Sequence, residues 1–167
     1  MGPAETLNSA GMAFVLDELG APLQDKHGDR LAPVALVPET YVRNPRGKHE
    51  CLELFARHGI ELPDTPPMAV HRGRIDLLED HLRRDPQLLT RTYAHREIWP
   101  PELGCHDDET LALHGTPLAG GTLLHLASYG TSANGSSSDM LCGVNSSAPS
   151  SVITMSSSRR TPNSPRM

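Results

Sequence analysis

The densest run of chemically capable residues is Cys105-His106-Asp107-Asp108-Glu109, with His95 and His114 close by in sequence. Thiolate, imidazole and carboxylate are the donors that zinc takes, and a small hydrolytic centre needs the same groups. Adjacent residues of a loop point in different directions, however, and the spacing matches no known ligand set. We read the run as a solvated acidic loop and expect no metal and no cofactor. The chain shows no H-E-x-x-H pair, no nucleophile elbow and no Gly-rich phosphate loop. The serines near the C-terminus have no placed base. The expectation is therefore a protein that is not an enzyme, with a small metal-binding or hydrolytic enzyme using residues 95–114 as the rival.

A second group suits recognition. His71, Arg72, Arg74, Arg83 and Arg84 gather in one short stretch and fit an acidic partner, although Asp76, Glu79 and Asp80 can balance them. Trp99 is the sole Trp. It is either a plug that packs its loop onto the domain or an exposed anchor, since Trp is enriched at interface hot spots. The candidate partner-binding residues are His71, Arg72, Arg74 and Trp99.

The elements that must position these residues follow from composition and period. A chain of 167 residues is enough for one domain with some to spare. Aromatics are 4% of the chain, against 15 Pro and 14 Gly, so the core is small and aliphatic. Short helices joined by tight turns fit this better than a large sheet. A net charge of −5 disfavours nucleic acid, which asks for a basic face. No run of about 18 apolar residues is present, so no membrane span is expected. Three scattered cysteines, Cys51, Cys105 and Cys142, make neither a closed disulfide set nor a Cys-x-x-Cys pair, which points to a reducing cytoplasm.

Along the chain, residues 11–25 read as a helix with Phe14, Val15, Leu16 and Leu19 inward, stopped by Gly20. Residues 31–42 read as a short helix with Pro33 in its first turn and Pro38 near its end. Residues 49–58 form an amphipathic helix with Cys51, Leu52, Leu54 and Phe55 inward. Thr65–Leu89 is a helical hairpin turning at Gly73, with Ile75, Leu77, Leu78 and Leu82 expected in the core and Asp85-Pro86 as its stop. Residues 90–120 read as a long insertion loop with one short turn. Residues 121–127 begin another helix.

Three helix ends share one pattern: helix, stop, small loop, returning Leu. They lie at Leu19–Leu23, His58–Leu62 and Arg84–Leu88. The stops Gly20, Gly59 and Asp85 are 39 and 26 residues apart, a mean near the period of about 33 of paired-helix arrays. Thr122-Leu123-Leu124-His125-Leu126-Ala127 resembles the ankyrin-repeat signature T-P-L-H-x-A. Thr65-Pro66 followed by Met68-Ala69-Val70 is similar to the same position, and Gly73–Leu78 resembles the opening of the family's second helix. The resemblance covers about residues 11–127. It implies an all-α fold: a short ankyrin-like solenoid of stacked helix-turn-helix units with an insertion at about 90–120. It also implies a non-catalytic protein–protein interaction module, with His125 as a hydrogen-bonding turn residue.

From Ser128 onward the composition changes. Residues 128–167 are about one-third Ser, with no Lys, no Glu and Asp139 as the only acid. Such a stretch buries too little apolar surface to offset chain ordering, so a disordered tail is expected. An ankyrin-like unit beginning at Thr122 should continue into a second helix. One permitted codon set for Ala133–Met140, read two bases on, encodes Glu-Trp-Leu-Leu-Glu-Arg-His, which resembles that helix. This predicts that residues 128–167 derive from a shifted frame and that the product is truncated, in the extreme case a non-functional one. The coding DNA around codon 128 should hold an apolar helix in a shifted frame; its absence from both alternative frames discards the idea.

Overall fold

A computed structural model describes residues 2–107 and 118–131, with side chains described to Tyr129. All of them belong to the first of two compact units, Met1–Gly135. The described residues are all-α. Their only extended pairings are two isolated antiparallel bridges, Gln24 with Arg30 and Tyr93 with Gly121. None of their helices is long and apolar enough to cross a membrane. The expected tail begins with the end of a helix and otherwise lies outside the described residues.

Helix α1 spans Ser9–Ala13 and runs on as one π-helical turn, Phe14–Glu18. Helix α2 spans Ala32–Glu39 and α3 spans Pro45–Arg57. Both begin with Pro in the first turn, where its missing N–H costs nothing. Asn44 caps α3 by accepting from Gly47 N at 3.0 Å, so this helix starts before residue 49, where its apolar period begins. Helices α4, Pro66–His71, and α5, Ile75–Arg84, form the expected hairpin. Thr65 Oγ1 accepts from Met68 N at 3.3 Å and starts α4. Gly73 turns the chain at φ +64°, and a Cβ there would lie 2.3 Å from the His49 ring, so glycine is required on two grounds.

After α5, Asp85 accepts from Gln87 N at 3.0 Å and starts a 3₁₀ turn, Pro86–Leu89. The chain then leaves on a long excursion. Its base is pinched where Tyr93 N donates to Gly121 O and Gly120 N donates to Tyr93 O. The excursion holds α6, His95–Ile98, and a 3₁₀ turn, Pro101–Leu103. Helix α7, Leu123–Thr131, follows its return. It crosses the expected boundary at residue 128.

Packing follows chain order. Helix α1 lies on α3, α2 on α3, α4 on α5, and α7 on α4 and the Pro86–Leu89 turn. The inward residues of α3 are Cys51, Leu52, Leu54 and Phe55, as its period requires. Two expectations fail. In α1 the buried residues are Met12 and Leu16, while Phe14 is 56% and Leu19 65% exposed; among the described helices α3 is the main one packed on it. In α5, Ile75 is 61% exposed and Leu77, Leu78 and Leu82 are half-buried; only Leu78 packs against the core. No described helix stacks on the outer side of α5.

The excursion is also more than an insertion loop. Tyr93, Ile98, Trp99, Leu103 and Cys105 are all buried in the same core as α2 and α3. Trp99 is fully buried and its Nε1–H donates to Pro38 O at 3.3 Å. Truncating so large a buried ring leaves a cavity. Trp99→Ala should therefore cost about 3–5 kcal/mol in urea unfolding followed by circular dichroism. A loss below about 1 kcal/mol would show that the ring does not hold the excursion in place.

Candidate functional site

The turn of the α4–α5 hairpin carries two of the four candidate residues, both half-buried. Arg72 Nε donates to Glu53 Oε1 at 2.7 Å, and its side chain is only 14% exposed. Arg74 forms a fork on Asp76, at 2.8 and 2.5 Å, and lies 3.9 Å from Glu53 Oε2. The fork holds the Asp76 carboxyl down at about 2 and the Arg74 guanidinium above its usual range. Along the helix, Arg83 pairs with Asp80 at 2.5 Å. The basic stretch read from the sequence is thus largely neutralised by its own acids, with Arg72 serving as a brace from α4 to α3.

The other two candidates point inward. His71 is 4% exposed and its Nε2–H donates to Ile98 O at 2.9 Å. Trp99 lies between His71 and His95, with ring centroids 6.4 and 4.9 Å away. Neither His71 nor Trp99 can meet a partner as placed. Trp99 is the plug rather than the anchor, because its indole N–H finds an acceptor only inside the fold.

The cysteine- and histidine-containing loop is tied to the protein's own groups. His95 Nε2 donates to His106 O at 2.9 Å. Cys105 is buried over Ala35 O, and burial pushes its thiol well above the usual range. Glu39, 1% exposed, accepts from His106 N at 2.6 Å and from His106 Nδ1 at 2.9 Å. A carboxylate only accepts, so that ring nitrogen carries the proton. Among the described residues no group of three or more His, Cys, Asp or Glu could hold a metal. Asp108, Glu109 and His114 lie outside the described residues.

Between the start of α4 and the excursion lies an open cleft of about 290 Å³. Pro63, Pro66, Pro67 and Pro100 form its walls, with Tyr93 beside them. Arg91 lies over the Tyr93 ring at 4.9 Å and is ion-paired with Glu97. Arg96 and Glu102 also line it, and neither has an ion-pair partner among the described residues. Sequence reasoning missed this cleft. Its signal was the two Pro-Pro pairs, Pro66-Pro67 and Pro100-Pro101, which fix backbone on both sides. Nothing in their spacing shows that they face each other.

The turn residue foreseen at His125 is present. Its Nδ1 accepts from Thr122 N at 3.1 Å and meets Thr122 Oγ1 at 2.9 Å. Comparison with protein-family models, with curated proteins and with solved structures finds no match for this chain.

One more ionisable group is set by this packing. The Lys48 ammonium donates to Pro38 O at 2.9 Å, and burial pulls it down from 10.5 to about 8. The unfolded lysine takes its proton near 10.5 and the folded one only near 8. Stability therefore falls as pH drops through that window, and the full penalty persists below it. Relative to its effect above pH 10.5, where the neutral amine still donates to Pro38 O, Lys48→Met should be more favourable at pH 7 by roughly 3 kcal/mol. Denaturant melts of both proteins at the two pH values check this; an equal difference at both would rule out the buried charge as its cause.

Proposed function

We propose that the chain is a non-catalytic protein-recognition module built as a short ankyrin-like stack, and that the proline-walled cleft is where it takes a segment of another protein. The observation that carries this reading is the cleft itself. Its walls are fixed by prolines and by the buried Tyr93, so little order is lost when a segment enters. Arg96 and Glu102 offer one cation and one anion to an extended segment that carries opposite charges around an apolar side chain. Support for the ankyrin-like stack comes from the paired helices α2–α3 and α4–α5, from the threonine-capped start at Thr65 and from the Thr122–His125 turn. Such pairs cannot bury their apolar sides alone and stabilise each other by stacking.

The rival hydrolytic or metal reading gains nothing from the geometry, since His95, Cys105 and His106 are each engaged by the protein. A displayed random-peptide library panned on the full chain tests the proposal. Enrichment of peptides with an acidic residue is expected, and Arg96→Glu should replace it with a preference for basic residues. No enrichment, or one that Arg96→Glu leaves unaltered, overturns the reading.

A further inference from the structure

Three histidines meet a carboxylate: His58 on Asp17 at 2.7 Å, His81 on Asp64 at 3.0 Å and His106 on Glu39 at 2.9 Å. His49 is placed differently. It is half-buried on α3 and has no hydrogen-bond or ion-pair partner among the described residues. Its ring lies directly over Gly73, where a Cβ would be 2.3 Å from Nδ1 and 2.4 Å from Cε1. Gly73 is the turn of the α4–α5 hairpin, so the ring is the pad on which that turn rests. The other tie from the turn to α3 is ionic: Arg72 Nε meets Glu53 Oε1 at 2.7 Å, and Arg74 lies 3.9 Å from Oε2 of the same carboxylate. Burial holds the His49 imidazolium below its ordinary range. The charge of Lys48 adds to this, while Glu53 and Glu50 act in the opposite sense.

We propose that His49 is a proton-operated catch: when neutral it seats the α4–α5 turn on α3, and its protonation releases that turn. The released ring is solvated and takes its proton near the ordinary value of about 6.5. The seated ring takes it only at lower pH. Seating is therefore complete above that value and weakens as pH falls through it. The charged groups around the ring do not rescue the seated imidazolium. Glu50 is taken by Ser9 and Arg46, and Asp76 by Arg74. Helix α1 carries no charged residue, and Glu39 of α2 is held by His106. On α4, His71 is spent on Ile98 O. That leaves Glu53, which already holds Arg72. In acid this one carboxylate has to serve an imidazolium and two guanidinium groups, while Lys48 adds a further positive charge beside them. The three carboxylate-bound rings keep an anionic partner, so the release is local to this turn.

The test is a nuclear magnetic resonance titration of the full chain between about pH 8 and pH 5, a range centred on the ordinary histidine value. Cross-relaxation between the His49 ring protons and the Gly73 α protons reports seating. It should be strong at the upper end and fade towards the lower. The equilibrium between seated and released turn should shift by up to about tenfold for one pH unit below 6.5. The Trp99 indole N–H resonance reports the core and should stay in place throughout. His49→Phe keeps a ring over Gly73 but cannot titrate, so the turn should stay seated in acid. Should His49→Phe not fold, His49→Gln serves, and its turn signals should not change with pH. Three results overturn the proposal: a His49 titration at or above 6.5, a contact unchanged at the acid end, or an acid-dependent change that persists in the variant. Loss of the Trp99 signal in step with the contact also overturns it, since that would be unfolding of the whole domain.

Discussion

The carbonyl of Pro38 is the point on which the rest of the structure depends. Helix α2 ends at Glu39, so this oxygen is one of the helix-end acceptors without a partner in its own helix. Two donors meet it there, Trp99 Nε1 from the excursion and Lys48 Nζ from α3. A single buried acceptor thereby ties three segments together. The indole fills the space between α2 and α6, and the His71 and His95 rings close around it. Without the ring the excursion loses its largest fully buried side chain.

The next residue fixes the same junction from its side chain. Glu39 is buried and accepts both from the backbone of His106 and from its ring. A buried carboxyl is costly unless hydrogen-bonded, and these bonds offset that cost only when the excursion is docked. On the opposite flank Thr40 Oγ1 donates to Glu5 O and Asn44 Nδ2 to Leu7 O, which brings the first residues of the chain across the α2–α3 corner. Gly47 allows that approach, since a Cβ there would lie 2.2 Å from Leu7 O. The short α2–α3 corner is therefore held by several side-chain hydrogen bonds.

Charge is arranged to be quiet rather than steering. The arginines of the α4–α5 turn meet Glu53 and Asp76, and their pairing leaves little net field to draw a partner. The proline-walled cleft, by contrast, is shaped by fixed backbone on both sides. A basic stretch in sequence is not a basic patch in space when α3 supplies the acids.

Helix period and capping chemistry were legible along the chain. The inward face of α3, the turn at Gly73, the stop at Asp85-Pro86, the short helix across Pro33–Pro38 and the hydrogen-bonded turn at His125 all follow from local rules, and local rules are what a sequence states directly. The inward side of α1 and the exposure of Ile75 did not follow. Periodicity marks an apolar stripe but not whether a neighbour exists to cover it. The role of residues 94–107 was hidden for a related reason. Proline, glycine and charge mark them as a loop, and only the distant Pro38 carbonyl and Glu39 carboxyl turn Trp99 into a core contact and tie the exposed His106 to α2. The sequence by itself determined that α3, α4 and α5 are helices and where α3 and α5 stop. The tertiary structure decided which of their faces are buried, because burial belongs to pairs of segments far apart in the chain.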